Sequence, residues 1–534
     1  MTDVIRNPIL PGFHPDPSVV RVGEDYFVAT STFEWAPGVR LHRSKDLRHW
    51  RDLGGVLGPE HLDLAGAPDS GGVWAPDLTY AHGRFHLLFS VVDNYAYGYK
   101  DCANYLVTAE RIEGPWSEPV RLPGRGFDAA LFHDEDGSTW LLNMITGFQG
   151  VEIQRLVDGK AVGEPVLLLE GSPAGLTEGP HLYRVDGWYV LLCAEGGTGF
   201  NHGAIVARSR DLLGPYEIDP NGPLITARDK PHSPLQKAGH GCLVATPAGE
   251  WFMTYLVSRP YTEVEASVPD DPRARDATGR CVLGRETAVA PVEWVDGWPR
   301  IDGAAPALEV PAPDLPAHPW PAADPRDDFD GPALDPRWST LRRHADPSWL
   351  RPAERPSHLR ITGGQSPFGK RTPSLVAQPL THKRGVFEAG IEFTPTSVHQ
   401  AAGICAYYNA YNWYFLQVAL DDGEPWLSLD SSDRGHRELV RIAPAPARLD
   451  LRIEFDGPTV RFGYGTGGWT GTGLERDATV LSDEYATWSA DGLLHAFGFT
   501  GAFAGLWVQD RAAEGAFADF DYAAYRTPGQ SGDA

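Results

Sequence analysis

Five copies of one degenerate pattern follow each other along the first 300 residues of the chain. Each copy has a polar or small residue, a short apolar run, a turn that contains glycine, and a second apolar run rich in aromatic residues. The copies are anchored 50 to 62 residues apart at Asp16, Asp77, Asp128, Glu178 and His240. Each copy predicts a β-hairpin whose strands are buried. A period of this length with several strands per unit is typical of a β-propeller, so the sequence predicts five blades.

Charged segments that follow several of the hairpins fit the outer strands of such blades. These segments are VRLHRSKDLRHW, YLVTAERIEGPWS and GAIVARSRDLLGPYE. With 59 glycines and 46 prolines, the chain should contain many turns and few long helices, which also favours an all-β fold. The alternative interpretation is an irregular β-sandwich whose internal similarity is accidental.

A proline-rich stretch separates the repeats from the rest of the chain. Residues 306–336 hold nine prolines, whose fixed φ angles exclude helix and central strand and favour an extended, stiff connector. We therefore predict a propeller over 1–305, a linker over 306–326 and a second domain over 327–534. The second domain shows strand patterns with short polar turns, which favour a β-sandwich. Its clearest alternation runs through Leu449, Leu451, Ile453 and Phe455.

The strongest functional signal is a shared phase of three acidic residues within the repeat. Asp16, Asp128 and Glu178 each stand at the start of an apolar run, and inner strands of a propeller line one central channel. The sequence thus predicts that they converge, with Asp16 held between two prolines at the entry to its strand. Crowded, partly desolvated carboxyl groups raise at least one pKa, which provides an acid beside a base. Two such groups flanking a pocket can hydrolyse a glycosidic bond, although any one of them alone could be a turn cap or a structural ion pair.

Charge and cysteine content exclude several classes of partner. The formal net charge of −25 disfavours binding to nucleic acid or to anionic membranes and suits a neutral substrate. The five cysteines are scattered without metal-ligand spacing, which indicates reduced and mostly buried thiols. The first residues, MTDVIRNPILPGFHPDPS, show no apolar signal region, so we expect a cytoplasmic protein that acts on short imported sugars.

Four motifs occur in order along nearly the whole chain. They are NPILPGFHPDPS, FDAALFHDEDG, TEGPHLY and LGRETAV, and they resemble the motifs of glycoside hydrolase family 43, in particular its two-domain β-xylosidases. The resemblance implies that Asp16 is the general base, Glu178 the general acid, and Asp128 the carboxylate that tunes and orients the acid. It also implies an inverting mechanism, a concanavalin-like (lectin-like) C-terminal sandwich and an exo-acting 1,4-β-xylosidase that releases xylose from non-reducing ends of xylobiose and short xylooligosaccharides.

The same resemblance implies substrate contacts. Arg285 in LGRET matches an arginine that hydrogen-bonds sugar hydroxyls, although an ion pair with Glu286 or another acid is an alternative. Phe33 and Trp74 match aromatic pocket walls, and Thr198 matches a residue near the sugar.

Two further residues carry more specific expectations. His240 matches a residue near the centre of the channel, where a hydrated Ca²⁺ could be held through water, although no cofactor is required for the mechanism. Phe503, in GFTGAFAGLWVQD, matches a sandwich residue that enters the active-site mouth and converts a groove into a pocket for a chain end. The alternative is that Phe503 belongs to the sandwich core, but Gly501 and Gly505 favour a loop or turn around it.

Other functions remain open at this point. An α-L-arabinofuranosidase, or an enzyme that accepts both sugars, fits the same residues, because arabinofuranose and xylopyranose can present similar hydroxyls. An invertase-like, fructose-releasing hydrolase is disfavoured because FHPDPSVV lacks its WMNDPNG pattern. A non-catalytic sugar-binding propeller would not need the full set of carboxylates. Similar xylosidases are often dimers or tetramers, so the resemblance also allows a homo-oligomer, although no feature of this sequence indicates one.

Overall fold

The N-terminal repeats form a closed ring of small sheets. The computed structural model describes residues 3–95, 100–147, 149–262, 279–490 and 493–529. Within these ranges each of the five copies forms its own antiparallel sheet of four or five strands. The innermost strands of neighbouring sheets pack on each other, and that of the fifth packs on that of the first, so that the five surround one axis. In the second sheet the innermost strand is Asp77–Ala81. The predicted five-bladed propeller is confirmed, and the irregular sandwich is excluded for this part of the chain.

The strands of each blade follow each other along the chain. Blade one has Ser18–Val22, Asp25–Thr30, Gly38–Ser44 and Arg51–Leu57. Blade two has Gly72–Val73, Asp77–Ala81, Arg84–Asn94, Asp101–Ala109 and Val120–Leu122. Blade three has Ala130–His133, Thr139–Met144, Val151–Val157 and Lys160–Leu169. Blade four has Glu178–Val185, Trp188–Glu195, Gly203–Ser209, Glu217–Ile218 and Ile225–Thr226. Blade five has Gln236–Ala245, Trp251–Ser258, Glu286–Val295 and Trp298–Arg300.

Asp-Gly turns explain why several of these strands pair as tight hairpins. In blade four, Asp186 and Gly187 connect two paired strands with φ angles of 49° and 74°. Positive φ at both turn positions matches the right-handed twist of the flanking strands, and glycine adopts it without strain. Local sequence thus sets the hairpins, while burial of their apolar residues between blades holds them together.

The C-terminal part is a sandwich of two large antiparallel sheets. In spatial order, one sheet contains Leu350–Arg355, His358–Thr362, Phe517–Arg526, Arg384–Glu392, Arg448–Asp456, Thr459–Gly465 and Thr470–Asp477, with Arg326–Asp327 at the side of Phe517–Arg526. The other contains His436–Pro444, Glu424–Asp433, Asn412–Asp421, Gln400–Asn409, Phe503–Asp510, Ser374–Pro379, Ser339–Leu341 and Trp35–Ala36. Short elements in the same part are the 3₁₀ turn Ala478–Leu481, the helix Asp483–Ala486 and the hairpin of Trp488–Ala490 and Leu493–Ala496.

The sandwich core lies between the two sheets, and its strands alternate as predicted. In Arg448–Asp456 every second residue is buried, which places Leu449, Leu451, Ile453 and Phe455 in the interior. Such alternation follows from the two-residue period of a β-strand. The predicted sandwich is therefore confirmed.

Strand pairing ties the proline-rich stretch to the N-terminus and ties the propeller to the sandwich. Within that stretch Glu309–Pro311 pairs with the N-terminal strand Val4–Arg6, and a 3₁₀ turn at Asp302–Ala304 precedes it. From the propeller, Trp35–Ala36 pairs with Ser339–Leu341 and becomes the edge of a sandwich sheet. No helix among the described residues is both long and apolar enough to cross a membrane.

Candidate active site

One cavity of about 530 Å³ lies where the inner strands of the five blades begin. Asp16, Asp128 and Glu178 all line this cavity, and none of the three is more than 7% exposed. The predicted convergence of the three carboxylates is therefore what the structure shows. Asp77, the anchor of the second blade, instead accepts hydrogen bonds from Ser18 and from the backbone of Leu131, and so joins neighbouring blades.

A left-handed backbone conformation recurs at or beside the anchor residues of four repeats. Asp16 and Asp128 have φ angles of 55° and 53°, and His240 has 37°. In the fourth blade the residue after Glu178 is Gly179, with φ of 56°. Residues with a Cβ adopt this conformation at a cost of roughly 1–3 kcal/mol, which is commonly found at functional sites. The flanking prolines of Asp16 indicated a fixed backbone, but its left-handed conformation is visible only in the structure.

Asp16 is held as a carboxylate. Its Oδ1 lies 2.7 Å from Nη1 of Arg285, and its Oδ2 accepts a hydrogen bond of 2.6 Å from the Ser31 hydroxyl. His240 Nδ1 lies 3.8 Å from Oδ1. Burial would raise the pKa of Asp16, but the charge of Arg285, assisted by His240 and by the Ser31 hydrogen bond, holds the pKa below its ordinary value. Asp16 is therefore ionised across the neutral range and can accept a proton.

The pKa values of Glu178 and Asp128 are shifted in the opposite direction, upward. Burial raises the pKa of Glu178 to about 7, and the negative charge of Asp16 adds to this effect, while Lys100 opposes it. Burial also raises the pKa of Asp128 well above its ordinary value, and the charges of Glu178 and Asp16 add to the shift. The cavity thus holds one ionised carboxylate beside two carboxyl groups that tend to keep their protons. That difference is what general acid–base catalysis requires.

Arg285 is enclosed by groups from both domains. Its Nη1 donates to Asp16, and its Nε donates to the backbone oxygen of Phe499 at 3.3 Å. The guanidinium also lies 5.4 Å from the ring centre of Phe33 and 5.5 Å from that of Phe499. Glu286, the alternative partner considered for Arg285, is instead bound by Arg259.

The other predicted contacts in the propeller also reach the cavity. Phe33, Trp74 and Thr198 line it, with Thr198 in a loop that follows the second strand of blade four. The indole nitrogen of Trp74 donates to the backbone oxygen of Ser70, which fixes the ring. These positions are compatible with stacking on a sugar ring, and their roles in binding stay predictions.

Several residues that line the cavity were not identified from the sequence. They include Lys100, Phe127, Arg228, Phe497 and Phe499. Lys100 Nζ lies over the rings of Phe127 and Trp74, at 4.2 Å and 5.2 Å from their centres. None of these residues stands at the anchor phase of the repeat, so the periodic signal could not reveal them.

Phe503 is not where the sequence prediction put it. It begins the central strand Phe503–Asp510, is 1% exposed, and stacks on Trp35 with 3.9 Å between ring centres. Phe503 is absent from the described residues that line the cavity, whereas Phe497 and Phe499 of the same segment do line it. Gly505 misled the prediction because it lies inside the strand, where a Cβ would come within 2.4 Å of the backbone oxygen of Val376. The core alternative for Phe503 is the correct one.

His240 lines the cavity beside Asp16, and burial lowers its pKa to about 4, which leaves the ring neutral. The described residues contain no group of three or more His, Cys, Asp or Glu side chains placed to hold a metal ion. The nearest carboxylate is already bound by Arg285, so these side chains do not form the oxygen-rich set that Ca²⁺ prefers. A water-mediated ion stays a prediction, and no catalytic step depends on it.

The fold and the site together define a glycoside hydrolase, because a base and an acid of opposite protonation flank one cavity in the propeller. The chain belongs to glycosyl hydrolases family 43, whose model matches residues 5–299. Residues 326–526 match the beta-xylosidase C-terminal concanavalin A-like domain. The resemblance noted in the sequence is thereby confirmed, and the invertase-like alternative is excluded.

Similar proteins extend over the whole chain. A xylan 1,3-beta-xylosidase of a Vibrio species is 41% identical, over 98% of this chain and 99% of its own. A xylosidase/arabinosidase 43B of Humicola insolens is 39% identical, over 98% and 97%. The crystal structure of a xylan beta-1,4-xylosidase from Bacillus halodurans C-125 superimposes with a TM-score of 0.91 at 41% identity, covering 98% of this chain and 100% of that one.

Proposed function

We propose that this hydrolase is an exo-acting, inverting β-xylosidase that releases xylose from the non-reducing ends of xylobiose and short 1,4-linked xylooligosaccharides. One observation carries the proposal. A single cavity brings ionised Asp16 together with Glu178, whose pKa of about 7 keeps it protonated in mildly acidic solution. The choice of xylose as the sugar rests on the names of the similar proteins.

In this mechanism each carboxyl group has one task. Asp16 takes a proton from a water molecule, and the water oxygen forms a bond to the anomeric carbon of the sugar. The bond from that carbon to the leaving oxygen breaks, and Glu178 transfers its proton to the leaving oxygen. Water attacks from the face opposite to the leaving group, so the configuration at the anomeric carbon inverts. The third carboxyl group, Asp128, is assigned the task of tuning the pKa of Glu178 and of orienting it.

The shape of the cavity supports release from chain ends. Phe497 and Phe499 of the sandwich line it together with residues of the propeller, so the cavity is bounded by both domains. A volume of about 530 Å³ suits one or two sugar units and not a long chain. The terminal sugar would enter, and the remainder of the oligosaccharide would extend outward.

The test is to follow freshly released xylose from xylobiose by proton NMR. Inversion of a β-xyloside releases α-xylose first, and mutarotation then produces the β form. Initial β-xylose would contradict inversion, and absence of turnover of any pentoside would favour the non-catalytic sugar-binding alternative. A 1,3-linked xylobiose should be run in parallel, because the Vibrio relative is named for that linkage.

A second candidate is α-L-arabinofuranosidase activity, alone or beside the first. It is favoured by the Humicola relative, whose name includes both sugars. The ratio of kcat/KM for nitrophenyl β-D-xylopyranoside and nitrophenyl α-L-arabinofuranoside decides between the two. A ratio well above one supports the xylosidase, and a ratio well below one supports the arabinofuranosidase.

Cytoplasmic location and assembly as a dimer or tetramer stay predictions. Cell fractionation tests the first, and sedimentation equilibrium of the full chain tests the second.

A further inference from the structure

The segment from Phe497 to Gly501 is held in an unusual way. Its five consecutive backbone N–H groups all donate to side-chain oxygens and not to a neighbouring strand. In chain order the acceptors are the hydroxyls of Tyr95, Thr487, Ser70 and Tyr408 and the Oδ1 atom of Asp483, at 3.4, 2.8, 3.1, 3.3 and 3.2 Å. An unpaired buried N–H group is costly, so five dedicated acceptors indicate that the path of this segment is closely specified.

The acceptors come from both domains, and those of the first four N–H groups alternate between the domains. Tyr95 and Ser70 belong to the propeller and hold Phe497 and Phe499. Thr487, Tyr408 and Asp483 belong to the sandwich and hold the residues between and after them. Successive N–H groups of an extended chain point in opposite directions, which explains the alternation. The segment therefore acts as a strap between the domains.

The middle of this strap contacts the arginine of the active site. The backbone oxygen of Phe499 accepts the Nε hydrogen bond of Arg285, and the Phe499 ring lies beside the guanidinium. The opposite end of the same guanidinium binds Asp16. A shift of the Phe499 carbonyl would therefore move or release one of the two hydrogen bonds that orient Arg285.

A buried ionic cluster supports the strap on the sandwich side. Asp483 accepts from the Tyr408 hydroxyl at 2.7 Å and lies 3.3 Å from Nζ of Lys237 in the propeller. The same ammonium lies 2.6 Å from Glu484, which in turn accepts from the backbone N–H of Cys281. A buried charge is tolerated only with such partners, so the cluster fixes Asp483 relative to both domains.

We propose that the segment 497–501 sets the position of the Arg285 guanidinium, and that Tyr408, Asp483 and Ser70 are positioning residues for catalysis although none of them lines the cavity. This inference rests on the proposed glycosidase function and adds that the sandwich domain orients a group of the propeller site. It predicts that loss of one strap hydrogen bond weakens substrate binding and moves the ionisation of Asp16.

The test compares two single-oxygen deletions in the full-length enzyme. Tyr408→Phe removes the hydroxyl that contacts both Asp483 and Thr500. Tyr414→Phe is the matched control, because Tyr414 is also buried in the sandwich but its hydroxyl donates to the backbone oxygen of Asp477. Both variants are assayed across pH on whichever nitrophenyl pentoside the wild type hydrolyses. If the wild type hydrolyses neither, it is the proposed function that fails.

For Tyr408→Phe we expect kcat/KM to fall about tenfold, mainly through KM, which corresponds to a free-energy change of about 1.4 kcal/mol. We also expect the acid limb of the pH profile to move upward by about one pH unit, because Arg285 no longer holds the Asp16 carboxylate as closely. The titratable groups that face Asp16 and Arg285 are His202, His240, Asp128, Glu178 and Asp483. The substitution removes none of them, but Asp483 loses the Tyr408 hydrogen bond that lowers its pKa.

An acid limb that stays in place, or a loss of kcat/KM equal to that of Tyr414→Phe, would overturn the proposal. Ser70→Ala tests it from the propeller side and should shift the limb in the same direction, so a misfolded Tyr408→Phe does not leave the question open. A crystal structure of either strap variant should show a longer distance from the Phe499 oxygen to Arg285 Nε. An unchanged distance would also count against the inference.

Discussion

The Nη1 atom of Arg285 lies 2.7 Å from the Oδ1 atom of Asp16, although 269 residues separate them along the chain. This contact links the first and the fifth blade. Asp16 precedes the inner strand of blade one, and Arg285 directly precedes the third strand of blade five. It also keeps a buried carboxylate ionised beside two that favour their protons. The consequences can be measured residue by residue.

Removal of the general acid should depend on the leaving group. Glu178→Gln cannot donate a proton, so kcat on xylobiose should fall by roughly 10²–10⁴. The loss should be far smaller on dinitrophenyl xyloside, whose leaving group needs little protonation. Asp16→Ala is the control and should be poor on both substrates, because activation of water is always required. Steady-state kinetics on the two substrates measures this, and an equal loss for Glu178→Gln on both would refute its role.

The alkaline limb of the pH profile should report Glu178. Activity requires this residue protonated, so kcat/KM should fall as pH rises through about 7. Lys100 lowers that pKa through its positive charge, so Lys100→Met should move the limb upward. Lys100→Arg retains the charge and should leave the limb in place. A pH series of kcat/KM for the three proteins checks the prediction, which fails if Lys100→Met leaves the limb where it is or lowers it.

Asp128→Asn should stabilise the fold increasingly as pH rises. The pKa of Asp128 is raised in the folded state, so its contribution to stability is complete below the unfolded pKa, about 3.9, and is lost as pH rises toward the folded pKa. Asparagine does not titrate and tolerates the left-handed backbone at this position. The difference in Tm between variant and wild type should therefore grow from pH 5 to pH 8.

Asp16→Asn is the matched control for that experiment. Asp16 has nearly the same φ angle, but its pKa is lowered, so it is ionised in both the folded and the unfolded state between pH 5 and pH 8. Its own titration therefore adds no slope over this window. Loss of the Asp16 charge lowers the pKa of Glu178 and of Asp128, but burial is the larger cause of both shifts, so the Tm difference should change less than that of Asp128→Asn. Parallel slopes for the two variants would show that Asp128 is not the titrating group.

Substitution of Phe503 should mainly reduce stability, whereas substitution of Phe499 should mainly reduce substrate binding. Phe503→Ala removes a ring stacked on Trp35 in the core and should cost about 3–5 kcal/mol of unfolding free energy. The folded fraction should keep its KM for the substrate. Phe499→Ala should raise KM, because this ring lines the cavity, at a smaller cost in stability. Urea unfolding and kinetics on both variants give the comparison, and a raised KM for Phe503→Ala alone would reverse the assignment.

The fold was largely readable from the sequence because its signals are local. Each hairpin carries its own apolar runs and glycine turn, and the period of 50 to 62 residues requires the units to be arranged alike. The three carboxylates were found for the same reason, since Asp16, Asp128 and Glu178 share one phase of the repeat. Lys100 and Phe127 stand outside that phase, and only their side-chain positions reveal them as cavity residues.

The sequence by itself indicated that Asp16, Asp128 and Glu178 meet, since equal phase in a closed ring of blades places residues near one axis. Only the structure showed that Asp77, the acidic anchor of the second blade, joins neighbouring blades instead. Tertiary structure alone decided the protonation and the surroundings of the three acids. The pKa of Asp16 depends on Arg285, which comes from the last blade of the propeller in chain order. The orientation of Arg285 in turn depends on the backbone carbonyl of Phe499 in the second domain. Phe499 rather than Phe503 reaches the cavity because five hydrogen bonds fix the path of the strap. Such contacts join residues hundreds of positions apart, and no local pattern encodes them.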